Sequence, residues 1–225
     1  VMDIYNKRDY ELVIDICDKV LKDSHNYYSD ITRELTYWLC LALCRTQKEE
    51  RFYEEVKALD GADYWFLKGF FQRIATKYNS AENFLKKALE ISPSMQRAKR
   101  ELVTALLAQH RYPEALSLAK ENYERDSDNT YHMHAYFRCL VKKVNINRED
   151  IATLKELLDK MENSYSDKKE ELHMAMNIEF QANIKRKSPD EMLDLIRNAE
   201  KNFPSSVNIQ RAAHEYKLKQ AIVSK

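Results

Sequence analysis

Four cysteines, six histidines and several paired acids are the residues that could do chemistry in this chain of 225. Cys40 and Cys44 stand one helical turn apart, half of a metal site by spacing, but no His or second Cys pair sits nearby at matching spacing. His132 and His134 would lie about 200° apart on a helix, so they cannot both face one ion. Glu49-Glu50 and Glu54-Glu55 are flanked by Lys and Arg, the pattern of a solvated helix face. Glycine occurs only at 61 and 69, so no Gly-rich phosphate loop can form, and neither G-x-S-x-G nor H-E-x-x-H occurs. The chain reads as a non-enzyme with no cofactor and no metal, its thiols buried in a reducing cytoplasm.

The elements that would carry such residues are helices. Hydrophobic content is 44 %, with only 2 Gly and 4 Pro, so few turns of special geometry are needed. Continuous β-type alternation is absent. The charged fraction of 32 % nets only +1, which gives no global field toward nucleic acid or an anionic membrane. No apolar run approaches the roughly 20 residues that span a bilayer. Apolar spacing of three and four predicts a helix over 29–45 with Ile31, Leu35, Trp38, Leu39, Ala42 and Leu43 inward. A shorter helix over 48–59 buries Phe52, Val56 and Leu59, and Asp60-Gly61 closes it with Gly left-handed. Helices with Tyr136, Phe137 and Leu140, then with Leu154, Leu157, Leu158 and Met161, are joined through Asn145-Ile146-Asn147. Ser188-Pro189-Asp190-Glu191 reads as a helix start: a cap residue, a first-turn Pro and acids near the positive helix end.

One stretch organises the rest. With Ala62 as position one, Trp65 falls at four, Gly69 at eight, Tyr78 at seventeen, Ala81 at twenty, Leu85 at twenty-four, Ala88 at twenty-seven and Pro93 at thirty-two. From Gln96, Leu102, Val103, Leu106, Tyr112 and Ala115 repeat the scheme, and Ala105 to Leu116 is typical throughout. This spacing resembles the tetratricopeptide repeat, a helix–turn–helix of about 34 residues. Small residues let two helices approach, and large ones fill the space around the close points. Lys68 and Gln72 depart from the pattern, standing where the family usually has Leu and Tyr.

The resemblance implies an all-α, right-handed solenoid of antiparallel helix pairs, about twelve helices in all. Residues 1–61 read as degenerate repeat-like helices continuing an upstream array, 62–129 as the two best-matching units, 130–204 as divergent units with a longer connection, and 205–225 as a capping helix. Extra length falls near Asn145 and near Ser164.

The resemblance also implies where a partner would sit. First helices of such repeats line a concave groove. The positions that face it are Phe66, Phe70 and Arg73, then Arg97, Arg100 and Thr104, then Tyr131, His134 and Arg138. Arginine forks with aromatic flanks suit a protein or acidic peptide. Phe66 and Phe70 have an alternative reading as core residues. The chaperone-tail clamp, Lys and Asn at positions five and nine, is absent. The expected function is a protein–protein interaction module in the cytoplasm, away from membranes, read also as the ligand-sensing C-terminal arm of a signalling or defence NTPase. Nucleic-acid binding by a helical repeat is the disfavoured alternative.

Overall fold

The structure, a computed structural model, describes residues 1–22, 29–162, 167–185 and 187–223. It is all-α, of the solenoid class built from antiparallel helix pairs, and falls into two compact units, Val1–Arg111 and Tyr112–Lys225. Thirteen α-helices occur among the described residues, where about twelve are expected. Unit 1 holds α1 (Met2–Asn6), α2 (Tyr10–Lys22), α3 (Ser29–Thr46), α4 (Glu49–Glu55, extended by a 3-10 turn Val56–Ala58), α5 (Gly61–Ile74), α6 (Tyr78–Ile91) and α7 (Gln96–Ala108). Unit 2 holds α8 (Tyr112–Arg125), α9 (Thr130–Leu140), α10 (Arg148–Glu162), α11 (Asp167–Phe180, continued by a π-helical turn Gln181–Lys185), α12 (Pro189–Asn202) and α13 (Val207–Val223).

In unit 1 the same turn recurs four times. Arg8, Gln47, Thr76 and His110 adopt left-handed angles, φ 67°, 55°, 60° and 59°. In each case the next N–H bonds the carbonyl five residues back: Asp9 to Ile4, Lys48 to Leu43, Lys77 to Gln72 and Arg111 to Leu106. This is the six-to-one helix closure that satisfies orphan carbonyls at a helix end. It folds the chain back within three residues, so α5 and α6 must pack against each other. Gly69 permits their contact: a Cβ there would lie 2.7 Å from Leu85 Cγ and 3.1 Å from the Leu85 backbone N. Leu85, Ala81 and Ala88 are all 0 % exposed on the facing helix.

The two residues that depart from the repeat pattern each find partners within unit 1. Gln72 is buried and donates from Nε2 to the Tyr53 hydroxyl at 2.6 Å. Lys68 lies over the rings of Phe84 at 4.8 Å and Tyr64 at 5.0 Å, with its stem along α5. Two sequence expectations need correction. Ile31, expected on the buried stripe of α3, is 44 % exposed, and full burial there begins at Thr36. Gly61 is left-handed as expected (φ 59°), but it opens α5; the preceding 3-10 turn is closed by Leu59, whose N–H bonds the Val56 carbonyl.

In unit 2, Ala175 and Ile178 of α11 pack with Met192, Ile196 and Ala199 of α12 and Ile209, Ala212, Ala213 and Tyr216 of α13. Helix α12 starts as its sequence indicates. Ser188 Oγ accepts from the Glu191 N–H, and the Glu191 carboxylate accepts from the Ser188 N–H, a complete capping box. The inserted segment near Asn145 is present as the α9–α10 connection; the one near Ser164 lies outside the described residues.

Candidate functional site

In unit 1 the helices α3, α5 and α7 share a face on which aromatic rings form a continuous track. Tyr5 of α1 tilts against Tyr10 of α2 and Trp38, Tyr37 meets Trp38 and Phe66, and Phe66 stacks on Phe70, with centroids 5.1–6.5 Å apart. The rings are spaced by helical periodicity, since Phe66 and Phe70 are one turn apart on α5. Guanidinium groups lie over them. Arg97 sits 4.5 Å from the Tyr37 centroid and 5.2 Å from that of Phe66. Arg45 and Arg73 sit 4.9 and 5.1 Å from the Phe70 centroid. Planar cations stack well on rings, and the pairing strengthens where water is excluded.

Every one of these cations also has an anionic or hydroxyl neighbour. Asp63 pairs with Arg97 and, at 3.5 Å, with Arg33, which also binds Asp60 at 2.5 Å. Arg73 pairs with Glu101, and Arg100 stands 3.9 Å from the same residue. Arg45 donates from Nε to the Tyr5 hydroxyl at 3.2 Å. Burial pushes the Tyr37 phenol well above its ordinary range; Arg97 opposes this and Asp63 adds to it. Beside this cluster opens a recess of about 300 Å³ lined by Asp30, Arg33, Glu34, Tyr37, Trp38, Asp63 and Arg97.

The expected groove residues divide sharply. Phe66 and Phe70 are each 3 % exposed, so they form a floor beneath the arginines and are not free apolar contacts; the core alternative holds for both. Arg73 is largely covered, its side chain 17 % exposed. Arg97 and Arg100 keep 39 and 38 % of their side chains exposed. Thr104 is half-buried and donates to the Arg100 carbonyl at 3.1 Å. Tyr37, Trp38, Arg33 and Arg45 of α3 were not legible as site residues, because α3 matches the repeat poorly. The signal was the left-handed turn: counted back from Gln47 as Phe66 is from Thr76, the equivalent residue is Tyr37.

In unit 2, Tyr131 is 44 % exposed, whereas His132 and His134 are both buried on α9. Arg138 differs from its expected role as a groove cation. Its side chain is 14 % exposed and lies 3.8 Å from Glu179, itself 3 % exposed. Arg211 donates to the same Glu179 oxygen at 3.0 Å and stands 3.9 Å from Glu215, which Lys142 holds at 2.7 Å. Burial, then the neighbouring Arg211, lowers Arg138 to about 10, with Glu179 opposing, so it remains charged at neutral pH. Arg138 is thus a structural member of a buried ion network joining α9, α11 and α13. No group of three or more His, Cys, Asp or Glu able to hold a metal occurs among the described residues.

Helix pairs closed by one recurring turn and packed through a glycine–leucine contact define a helical-repeat protein. Residues 73–143 match the tetratricopeptide repeat, so this part of the chain carries repeats of that kind. Such a fold is that of a protein–protein interaction module. PilF of Pseudomonas aeruginosa superposes with a TM-score of 0.56 at 12 % identity, over 93 % of this chain and 98 % of that one. YrrB, a TPR protein with an unusual peptide-binding site, gives 0.49 at 15 %, over 87 and 96 %. Naa15/Naa10 bound to HypK-THB gives 0.43 at 14 %, over 98 % of this chain and 33 % of that one. No curated protein sequence matches the chain. No described helix is long and apolar enough to cross a membrane.

Proposed function

We propose that the shared face of α3, α5 and α7 is the inner, concave surface of the repeat array and docks an extended segment of a partner protein. The observation that carries this is the recess beside Asp63, where two aromatic walls, Tyr37 and Trp38, meet two guanidinium groups, Arg33 and Arg97. The apolar walls receive a side chain, and the guanidiniums orient a carboxylate or backbone carbonyl. A guanidinium has five donors, so Arg97 retains capacity beyond the bond it gives to Asp63. An acidic side chain on the partner competes with Asp63 for Arg97 and reaches Arg100 next along α7. Tyr131 of unit 2 stays in the proposal as a separate exposed contact. The repeat boundaries at 62, 130 and 205, the cytoplasmic setting and the non-enzymatic character belong to the same reading. A ligand-sensing arm of a larger signalling or defence NTPase would use the same face. The pairing of Arg33, Arg73, Arg97 and Arg100 with carboxylates leaves little surplus charge for a nucleic-acid backbone.

A random-peptide display on the full chain tests the reading. The enriched peptides should pair an acidic residue with an apolar one, and Arg97→Ala and Trp38→Ala should each weaken them at least tenfold with unchanged helicity. Peptides without an acid, or equal binding to both variants, would sink it. RNA retained by the parent at about 50 mM salt, and lost steeply as salt rises, would favour the nucleic-acid alternative instead.

A further inference from the structure

Unit 2 contains a second recess that the docking reading does not use. It is open to solvent and has a volume of about 580 Å³, within the size range of small-molecule sites. Its walls come chiefly from the α9–α10 connection (Lys142, Lys143, Val144, Ile146), the π-helical turn (Asn183) and α13 (Lys219), with Tyr112 of α8 and Ile151 of α10 beside them. We propose that this pocket binds a small phosphomonoester of mononucleotide size, its phosphate among the three lysines and its organic part against the apolar wall.

The polar half is already built to hold an anion. Lys143 is positioned by Asp150 at 2.7 Å and Lys142 by Glu215 at 2.7 Å, so both ammoniums are fixed before any ligand arrives. Lys219 instead donates to a neutral acceptor, Asn183 Oδ1. Asn183 is held in turn, its Nδ2 donating to the Glu179 carbonyl at 2.6 Å. Three lysines thus converge with two carboxylates beside them. The surrounding protein, and then Lys142, push the Lys219 ammonium below the ordinary lysine range, while Glu215 and Glu179 oppose the shift. A phosphomonoester brings a charge of about −1.5 to −2 at pH 7 and three strong acceptors, more than one carboxylate can supply.

The apolar half points the same way. Val144 is 90 % exposed at the rim, and Val141, Ile146, Ile151 and Ile184 continue the wall. A flat base or a branched alkyl group laid there leaves water along with Val144. The wall also owes two members, Asn183 and Ile184, to the π-helical turn, a rare local geometry that recurs at functional sites. The α9–α10 connection is one of the two segments by which this repeat is expected to exceed the family period, so the pocket lies at a departure from the plain repeat.

The test is 31P line broadening and calorimetric titration of the full chain with AMP, UMP and phenyl phosphate, beside adenosine and inorganic phosphate. At least one phosphomonoester should bind, with adenosine and inorganic phosphate each at least tenfold weaker. Lys219→Glu should weaken binding at least tenfold. So should Val144→Glu, whose side chain is too exposed to matter for folding, while Lys120→Glu on α8 changes nothing. No binding by any of the three phosphomonoesters overturns the proposal, as does equal affinity for adenosine and AMP, or parent-like binding by Lys219→Glu with helicity intact.

Discussion

Replacing Gly69 by Ala probes the contact that sets the spacing of α5 and α6. The new methyl would stand 2.7 and 2.9 Å from Leu85 Cγ and Cδ2 and 3.1 Å from the Leu85 N, inside the 3.4 Å where ordinary contact begins. Leu85 is 0 % exposed and cannot swing into solvent, and its N belongs to the backbone of α6, so the helices must part. Overpacking of this kind costs about 1–3 kcal/mol. Against it stands the better helix propensity of Ala over Gly in a helix interior, about 1 kcal/mol. The net expectation is a loss of about 1 kcal/mol in the parent background. With Leu85→Ala already present, most of the conflict is gone, and Gly69→Ala should stabilise by about 1 kcal/mol. The two substitutions therefore couple by about 2 kcal/mol, well above the scatter of independent sites. Urea unfolding followed by far-UV ellipticity on the four proteins of the cycle measures this. Additive effects, or stabilisation by Gly69→Ala alone, would refute the close packing.

Three further outcomes follow from other parts of the structure. Glu179→Ala should cost about 3–5 kcal/mol by leaving Arg138 and Arg211 buried without their shared carboxylate, and a chemical-denaturation loss under 1 kcal/mol would contradict the network. Burial alone raises the Glu82 carboxyl, but hydrogen bonds from Lys86, Gln109 and Arg111 outweigh it and hold the group below its ordinary 4.5. A depressed carboxyl gives stability above the ordinary value that is lost as pH falls through the folded pKa, so Glu82→Gln should flatten the acid limb below pH 4.5 and leave neutral pH with less stability; an acid limb as steep as the parent's would count against this. Burial pushes the thiols of Cys17 up to about 11 and of Cys40 and Cys139 up to about 12, and Cys44 upward as well. At pH 8 an aromatic disulfide reagent should label all four only as fast as the protein unfolds, and a rapidly reacting thiol in the native chain would show that burial is misjudged.

The repeat was legible because its determinants are local. Gly69, Ala81, Leu85 and Ala88 lie within one helical hairpin, and Ser188 to Glu191 carry their own cap, so spacing alone specifies the outcome. Surface placement was legible only where exposure follows from helix phase, as for Arg97 and Arg100. It failed where the deciding neighbour is distant in sequence. Arg138 meets Glu179 on α11 and Arg211 beyond it, and no local pattern announces a partner 41 residues away. Phe66 is covered by Tyr37 from α3 and Arg97 from α7, which share no motif with it. The π-helical turn at Gln181–Lys185 has no composition signal at all.

The four left-handed turns of unit 1 have a consequence for how this chain can vary. Arg8, Gln47, Thr76 and His110 are all exposed, and the bonds that close each turn run between backbone groups. An L-residue in that conformation costs on the order of 1 kcal/mol against glycine, and here none of the four is glycine. The chain thus forgoes stability to display a side chain at each corner. Since the bonds that close each turn run between backbone groups, the turn itself does not dictate which side chain stands at the corner. Glycine at all four would relieve that strain at the price of a blanker surface.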